Sequence, residues 1–407
     1  MTESQAASQT RADARQAGTP AEVLLAFLKL GLTSFGGPAA HLGYFRTEFV
    51  ARRRWLSEAA YAELVGLCQF LPGPASSQAG FALGLLRAGP LGALAAWAGF
   101  TLPSALLLVL FAMGSGSLSA SPAGAGLLHG LKLVAVAIVA QAVWGMARAL
   151  CPDRPRTGIA MAAMAAVILL PVSVGQIAAI LLGAVAGLLL CRSGAVPEAV
   201  PALSVSVSRR AGAACLLLFV LLLAVPPLLG GTAAVFDAFY RSGALVFGGG
   251  HVVLPLLRDA VVAPGWVAED AFLAGYGAAQ AVPGPLFTFA AYLGAVLRPG
   301  PGGILGAVVP LLAIFLPGLL LVAGTLPFWA LLRARPAVQA ALRGVNAAVV
   351  GLLGAALFDP VWTGAVLRPV DFLLALSGFL LLTVWQISPV VVVVLGALGG
   401  VGLGLLG

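Results

Sequence analysis

The sequence predicts an all-α polytopic membrane protein: two inverted-topology repeats with re-entrant or broken helices, joined by an extra transmembrane helix. Three observations predict it. Of 407 residues, 61% are hydrophobic and only 9% are charged, whereas a soluble chain carries roughly 25% charged residues to cover its wet surface. Several apolar runs approach the about 20 residues that a spanning helix needs. The chain also restates itself. Phe35-Gly36-Gly37 and Pro72-Gly73-Pro74 return as Phe247-Gly248-Gly249 and Pro283-Gly284-Pro285. Trp55, Gln69, Arg87, Gly89, Pro90 and Gly92 return as Trp266, Gln280, Arg298, Gly300, Pro301 and Gly303, with the offset always 211 or 212 residues. Duplicated helix-breaking motifs in an apolar chain mark a two-repeat transporter.

The elements follow in order. Residues 1–20 are polar and mixed in charge, which predicts a disordered cytoplasmic tail. They hold no apolar core with a cleavage site, so no signal peptide is expected. The first repeat, 21–192, opens with an apolar helix to Phe35 that stops at Gly36-Gly37. Pro38 suits the first position of a new helix, because its missing N–H would be orphaned there anyway. That helix continues past His41 and Phe45 toward Arg52, Arg53 and Arg54. Segments 61–71 and 75–86 flank Pro72-Gly73-Pro74. The first would make about 16 Å of helix, short of the about 30 Å of hydrocarbon in a bilayer. Spans are expected at 91–113, 125–147, 158–171 and 174–191.

Residues 193–233 then hold a Ser/Pro/Arg linker and one strongly apolar helix, 211–230, without a counterpart. The second repeat, 234–407, restates the first at 234–247, 250–264, 270–282, 286–297, 303–325, 338–357, 369–385 and 388–405.

Loop charge sets the relative direction of the repeats. Residues 41–60 hold Arg46, Arg52, Arg53 and Arg54 against Glu48 and Glu58, whereas 252–271 hold Arg258 against Asp259, Glu269 and Asp270. Arg148, Arg154 and Arg156 face one acid, Asp153; the counterpart loop has Asp359 and Arg368. Residues 113–126 carry no charge, while 326–343 carry Arg333, Arg335 and Arg343. Loops that are basic in one half are neutral or acidic in the other, so by the positive-inside rule the halves insert in opposite directions. Whether the breaks are tips of re-entrant hairpins or broken full spans stays open at this level.

Several functions are excluded. The net charge of +8 sits mostly in short loops, with no basic cluster interleaved with aromatics, so no nucleic-acid partner is expected. Cys68, Cys151, Cys191 and Cys215 form no CxxC pair and read as apolar fillers rather than metal ligands or disulfides. No phosphate loop, paired catalytic acids or Ser/His/Asp arrangement is visible. The chain is not expected to be an enzyme, and no cofactor or metal is expected.

The candidate site lies at the breaks. A broken helix in lipid exposes unpaired N–H and C=O groups and is tolerated only in protein or against a wet cavity. Helices that begin after Gly36-Gly37 and after Pro72-Gly73-Pro74 offer free N–H groups and a positive dipole end, which suits an anion. Gly248-Gly249-Gly250 and Pro283-Gly284-Pro285 repeat the arrangement, and Ser76, Ser77 and Thr288 add hydroxyls. Lys29 and Arg241 each lie six residues before a break, a pair of cations suited to a dianion. They could instead snorkel to headgroups, or Arg241 could pair with Asp237. His41 and His251 follow the breaks and could donate to an oxyanion or titrate. Gln69 and Gln280 are recurring amides beside the second break. Glu22, Glu63 and Asp237 are the nearest acids and the candidates for carrying a coupled proton.

These stretches resemble the chromate ion transporter (CHR) family in its long-chain, two-repeat form. The resembling text is SFGGPAAHLGYFRTEFV, FLPGPASSQ, FGGGHVVLPLL, GYGAAQAVPGP and AYLGA. The resemblance covers roughly 22–190 and 234–405. It implies chromate transport at a bacterial-type inner membrane, commonly efflux that confers resistance, with sulfate as a plausible competitor. Uptake or exchange of another small oxyanion, or an anion channel, is the alternative. Membrane lipid is the surrounding partner, and a homo-oligomer is compatible with the sequence. Pro38 follows one break and Gly250 the other, a departure from strict symmetry.

Overall fold

Gly and Pro punctuate the helices much as the sequence predicts. The computed structural model describes residues 18–35, 37–118, 121–170, 172–191, 207–224, 232–247, 250–298, 300–333 and 335–406, all helical or irregular with no strand among them. Helix α1 (Pro20–Thr33) starts on a Thr19 cap that accepts from the Glu22 N–H. Thr19 and Pro20 thus cap and begin a helix at the margin of the expected tail. Gly37 takes φ 79° and begins α2 (Gly37–Phe45). The helix expected to run to Arg52 instead widens into a π-helical turn, Arg46–Arg52.

Next come α3 (Glu58–Phe70) and α4 (Ala75–Leu118). Two helices were expected within 75–113. They join in one run, bent where Ala88 and Gly89 leave helical geometry and Gly89 takes φ 65°. The short arm is 75–87 and the long arm 90–118. Helices α5 (Pro122–Leu150), α6 (Arg154–Leu169) and α7 (Val172–Leu190) complete the first repeat. Helix α8 (Arg209–Ala224) is the joining helix. The expected stretch 225–230 and most of the linker lie outside the described residues.

The second repeat holds α9 (Thr232–Ala244), α10 (Val253–Val261), α11 (Glu269–Ala279), α12 (Phe289–Val296) and α13 (Gly303–Thr325). A short α14 (Trp329–Arg333), then α15 (Pro336–Ala356), α16 (Pro369–Thr383) and α17 (Pro389–Leu406) follow. Four stretches, 75–114, 122–150, 303–328 and 336–362, are helical, long and apolar enough to cross a membrane.

Both breaks of the first repeat are hairpin tips. Glu22, at the start of α1, pairs with Arg53 beyond the wide turn (3.8 Å) and with Arg87 at the end of the short arm (3.2 Å). Both guanidiniums lie over the Trp55 ring, at 5.7 and 5.3 Å. The chain therefore leaves one end of the bundle and returns to it at each break. In the second repeat the Arg298 N–H donates to the Trp266 carbonyl (2.9 Å), and Arg258 pairs with Glu269 (3.0 Å). The recurring tryptophan closes the base of the hairpin around the second break in both repeats.

The repeats exchange their last two helices. Helices α16 and α17 pack on α5, while α6 and α7 pack on α15. Backbones approach there through glycine, as helices do in lipid: a Cβ on Gly126 would collide with the Gly400 carbonyl, and one on Gly344 with the Gly183 carbonyl. Helix α5 runs parallel to α16, since His129 meets Asp371 (3.0 Å) and Gln141 donates to the Leu382 carbonyl (3.4 Å). The short link 357–368 joins α15 to α16. Helix α15 runs opposite to α7, since Gly183 meets Ala348 and Gly187 meets Ala340.

The two ends of the bundle differ in charge. Arg148, at the end of α5, shares one end with Arg343, which donates to the Cys191 carbonyl (2.8 Å). At the other end Lys132 pairs with Asp270 (2.7 Å), and buried Asp371 accepts from the Arg368 N–H (2.9 Å).

Candidate functional site

Each second-break loop is held by the other repeat. The Gly73 N–H donates to the Val246 carbonyl (2.7 Å), and the Gly284 N–H donates to the Ser34 carbonyl (2.9 Å). Each acceptor lies just before the partner repeat's first break. The loops need glycine: Gly73 has φ 122° and Gly284 φ 103°, a region that L side chains avoid. A Cβ on Gly73 would lie 3.0 Å from the Gly318 Cα, and one on Gly284 would lie 2.8 Å from Ser104 Oγ. Gly250 completes the convergence, because a Cβ there would touch the Pro38 ring at 3.5 Å.

A cavity of about 500 Å³ opens from these tips toward the Arg148 end. Its inner wall is Gly37, Pro38, His251, Gln280 and Gly284; its outer wall is Gln141, Trp144, Arg148, Gln386 and Ser388. Arg148 is the one formally charged side chain among the described lining residues. It is exposed and makes no ion pair among the described residues. His251 is fixed by Tyr276, whose hydroxyl lies 2.7 Å from Nδ1. Gln280 Nε2 is buried facing Tyr276, with no further hydrogen-bond partner among the described residues. Two helix N-termini, at Gly37-Pro38 and Ser388-Pro389, open on the same space. A cation, helix ends and neutral donors without a carboxylate form an environment for an anion.

Of the residues expected to form the site, Gly37, His251, Gln280 and Gly284 line the cavity. Gly250 adjoins Pro38, and Pro283 and Pro285 flank Gly284, whereas Gly73 and Pro74 pack against Gly318 and the Pro72 carbonyl accepts from Gln78. His41, Ser76 and Ser77 are buried, and the Thr288 hydroxyl is used up by the Pro285 carbonyl (2.7 Å). Gly36, Gly248 and Gly249 lie outside the described residues. Gln69 points outward on α3, exposed, so the two recurring glutamines are not equivalent.

Lys29 and Arg241 are not brought to the cavity, because carboxylates nearer to hand hold them. Lys29 lies 3.8 Å from Glu48, which is buried and also bound by Arg52 and Arg53. Arg241 pairs with Asp237 (2.7 Å) and donates to the Leu223 carbonyl (2.7 Å). Glu22 is held by Arg53 and Arg87, and Glu63 is buried in α3; none of the three candidate acids lines the cavity. Sequence reasoning passed over Gln141, Trp144, Gln386 and Ser388, and read Arg148 only as loop charge. Its one available signal was position: Arg148 stands where the other repeat has Asp359.

Fold and cavity together define a class, the polytopic two-repeat helical membrane protein with an anion-suited internal cavity. The chain belongs to the chromate transporter family, whose model matches residues 21–188 and again 233–401, one match per repeat. It is a transporter rather than an enzyme. It is 32% identical over 394 residues to a chromate transport protein of Pseudomonas aeruginosa, covering 92% of this chain and 90% of that one. It is similar to a chromate transport protein of Cupriavidus metallidurans, at 26% identity over 389 residues, 93% of this chain and 92% of that one. A probable chromate transport protein of Synechococcus elongatus is 29% identical over 334 residues, 81% of each chain. No solved structure matches the chain.

Proposed function

We propose that the protein is a secondary transporter that carries chromate out across the inner membrane by alternating access, with the dianion held in the cavity between the helix breaks. One observation carries the reading: among the described residues that line the cavity, Arg148 carries the only formal charge and no acid opposes it. Arg148 would draw the oxyanion in at the mouth. Deeper, the Gln280 amide, the His251 ring and the N-terminus of α2 would replace its water. Re-entrant hairpins suit this use, since their broken ends face protein and cavity rather than lipid. The paired contacts Gly73–Val246 and Gly284–Ser34 are equivalent across the repeats, so opening one and closing the other would exchange access.

Charge gives the direction. The mouth lies at the end rich in arginine, which the positive-inside rule assigns to the cytoplasm. An inside-negative potential favours outward movement of a dianion by about 2.3 kcal/mol per charge per 100 mV. Efflux then needs no coupled proton, in keeping with a cavity that no candidate acid lines.

The test is chromate flux in oriented vesicles, with sulfate as competitor. Flux into inside-out vesicles should saturate, and Arg148→Gln should raise half-saturation about tenfold, the equivalent of about 1.4 kcal/mol. Parent-like saturation in that variant would remove the anion role of the cavity. Sulfate outpacing chromate would make sulfate the substrate, and current without saturation would mean a channel.

A further inference from the structure

Behind Gly284 lies a second polar compartment. Ser34, His41, Ser76, Ser77, Thr101 and Ser104 are each no more than 3% exposed. Gly284 separates them from the cavity: its N–H donates to the Ser34 carbonyl at 2.9 Å, and a Cβ on it would lie 2.8 Å from Ser104 Oγ. His41 Nδ1 lies 3.4 Å from Ser76 Oγ, and the ring stands edge-on to Phe100, centroids 5.2 Å apart. The Ser104 hydroxyl donates to the Thr101 carbonyl one turn earlier (3.0 Å). Yet Ser34 Oγ, Ser77 Oγ and Thr101 Oγ1 are buried with no hydrogen-bond partner among the described residues, while the His41 ring also faces the Ser34 backbone. Buried polar atoms are nearly always paired, and each one left unmade weakens the fold. Three such hydroxyls on adjoining elements are too many for accidents of packing.

The charge of the missing partner can be argued from the surroundings. The first turn of α4, at Ala75–Ser77, adjoins the compartment, and the first N–H groups of a helix have no partner within it. The positive end of that helix favours an anion. Each of the three unpaired side chains is a hydroxyl, able to present hydrogen to oxygen. We infer that this compartment is an occluded station for the transported oxyanion, reached from the cavity when the Gly284–Ser34 hydrogen bond opens. The inference rests on the cavity being the anion's route in.

Thr101→Val and Ser34→Ala, singly and together, test it by radiolabelled chromate flux in proteoliposomes and by thermal unfolding. Each single variant should lower maximal flux about tenfold with half-saturation unchanged, the loss of one hydrogen bond to a charged group. Unfolding temperature should hold or rise, since an unpaired buried hydroxyl has gone. Parent-level flux in the double variant overturns the station. Lost flux with a lowered unfolding temperature overturns it too, by making the hydroxyls structural. Arg148→Gln keeps the two readings apart: a parent-like half-saturation there rejects the cavity route, whereas parent-like flux in the double variant rejects only the station.

Discussion

The same Pro-Gly-Pro loop meets two different surroundings in one molecule. In the second repeat, Gly284 lines an open cavity and Gln280 reaches into it. In the first, Gly73 is packed against Gly318, Gln69 points away, and Gln78 donates to the Pro72 and Gly318 carbonyls (2.9 and 3.1 Å). The backbone hydrogen bonds that hold the two loops are nonetheless equivalent. Duplication has thus fixed the backbone device, while the side chains around it have diverged. Charge diverges further, because Arg148 stands at the cavity mouth and Asp359 at the equivalent sequence position in the other repeat. Under the proposed alternating access, two equivalent loops with an asymmetric lining would still favour one side for an anion.

The largest effect should come from the loops themselves. Gly73→Ala forces a side chain into a left-handed backbone and against the Gly318 backbone, and should cost about 2–3 kcal/mol and abolish flux. Gly284→Ala meets the Ser104 hydroxyl first, which can rotate, and should cost about 1–2 kcal/mol. Thermal unfolding of the two variants compares the loops directly; equal losses would mean that the closed loop is no more tightly held than the open one. Next comes the charge at these two positions. Exchanging it, Arg148→Asp with Asp359→Arg, should raise half-saturation from the basic side about tenfold. Flux from inside-out and right-side-out vesicles measures this, and unchanged kinetics on both sides would show that mouth charge plays no part in capture.

Helix placement was largely legible because Gly and Pro act locally. The span expected at 303–325 is Gly303–Thr325. The doubling was legible too, since the motifs recur at a constant offset, and the family model matches once in each half. The bend at Ala88-Gly89 was read as a gap, because Gly89-Pro90 signals a break and not how far the chain turns. The cavity was legible only in half. Its inner wall is made of the motifs themselves, whereas its outer wall exists because α17 crosses to α5 of the other repeat, which no local pattern encodes. Arg148 was hidden for that reason, and so was the buried Glu48 that claims Lys29 from nineteen residues away.

The smallest effect should come from the two matched cations, Lys29 and Arg241. Position alone made them a pair, but their environments differ from that of a binding site. The Lys29 side chain is 54% exposed and that of Arg241 42%, so neither is enclosed. Lys29→Ala should change stability by about 0.5 kcal/mol or less, and Arg241→Ala by about 1 kcal/mol as Asp237 loses its partner. Chromate flux should remain at the parent level in the double variant, because neither group lines the cavity. A tenfold loss there, with unfolding unchanged, would return these cations to the anion's path and make Arg148 a bystander. The contrast between one unpaired arginine at a cavity mouth and two paired cations on helix flanks is what the flux assay decides.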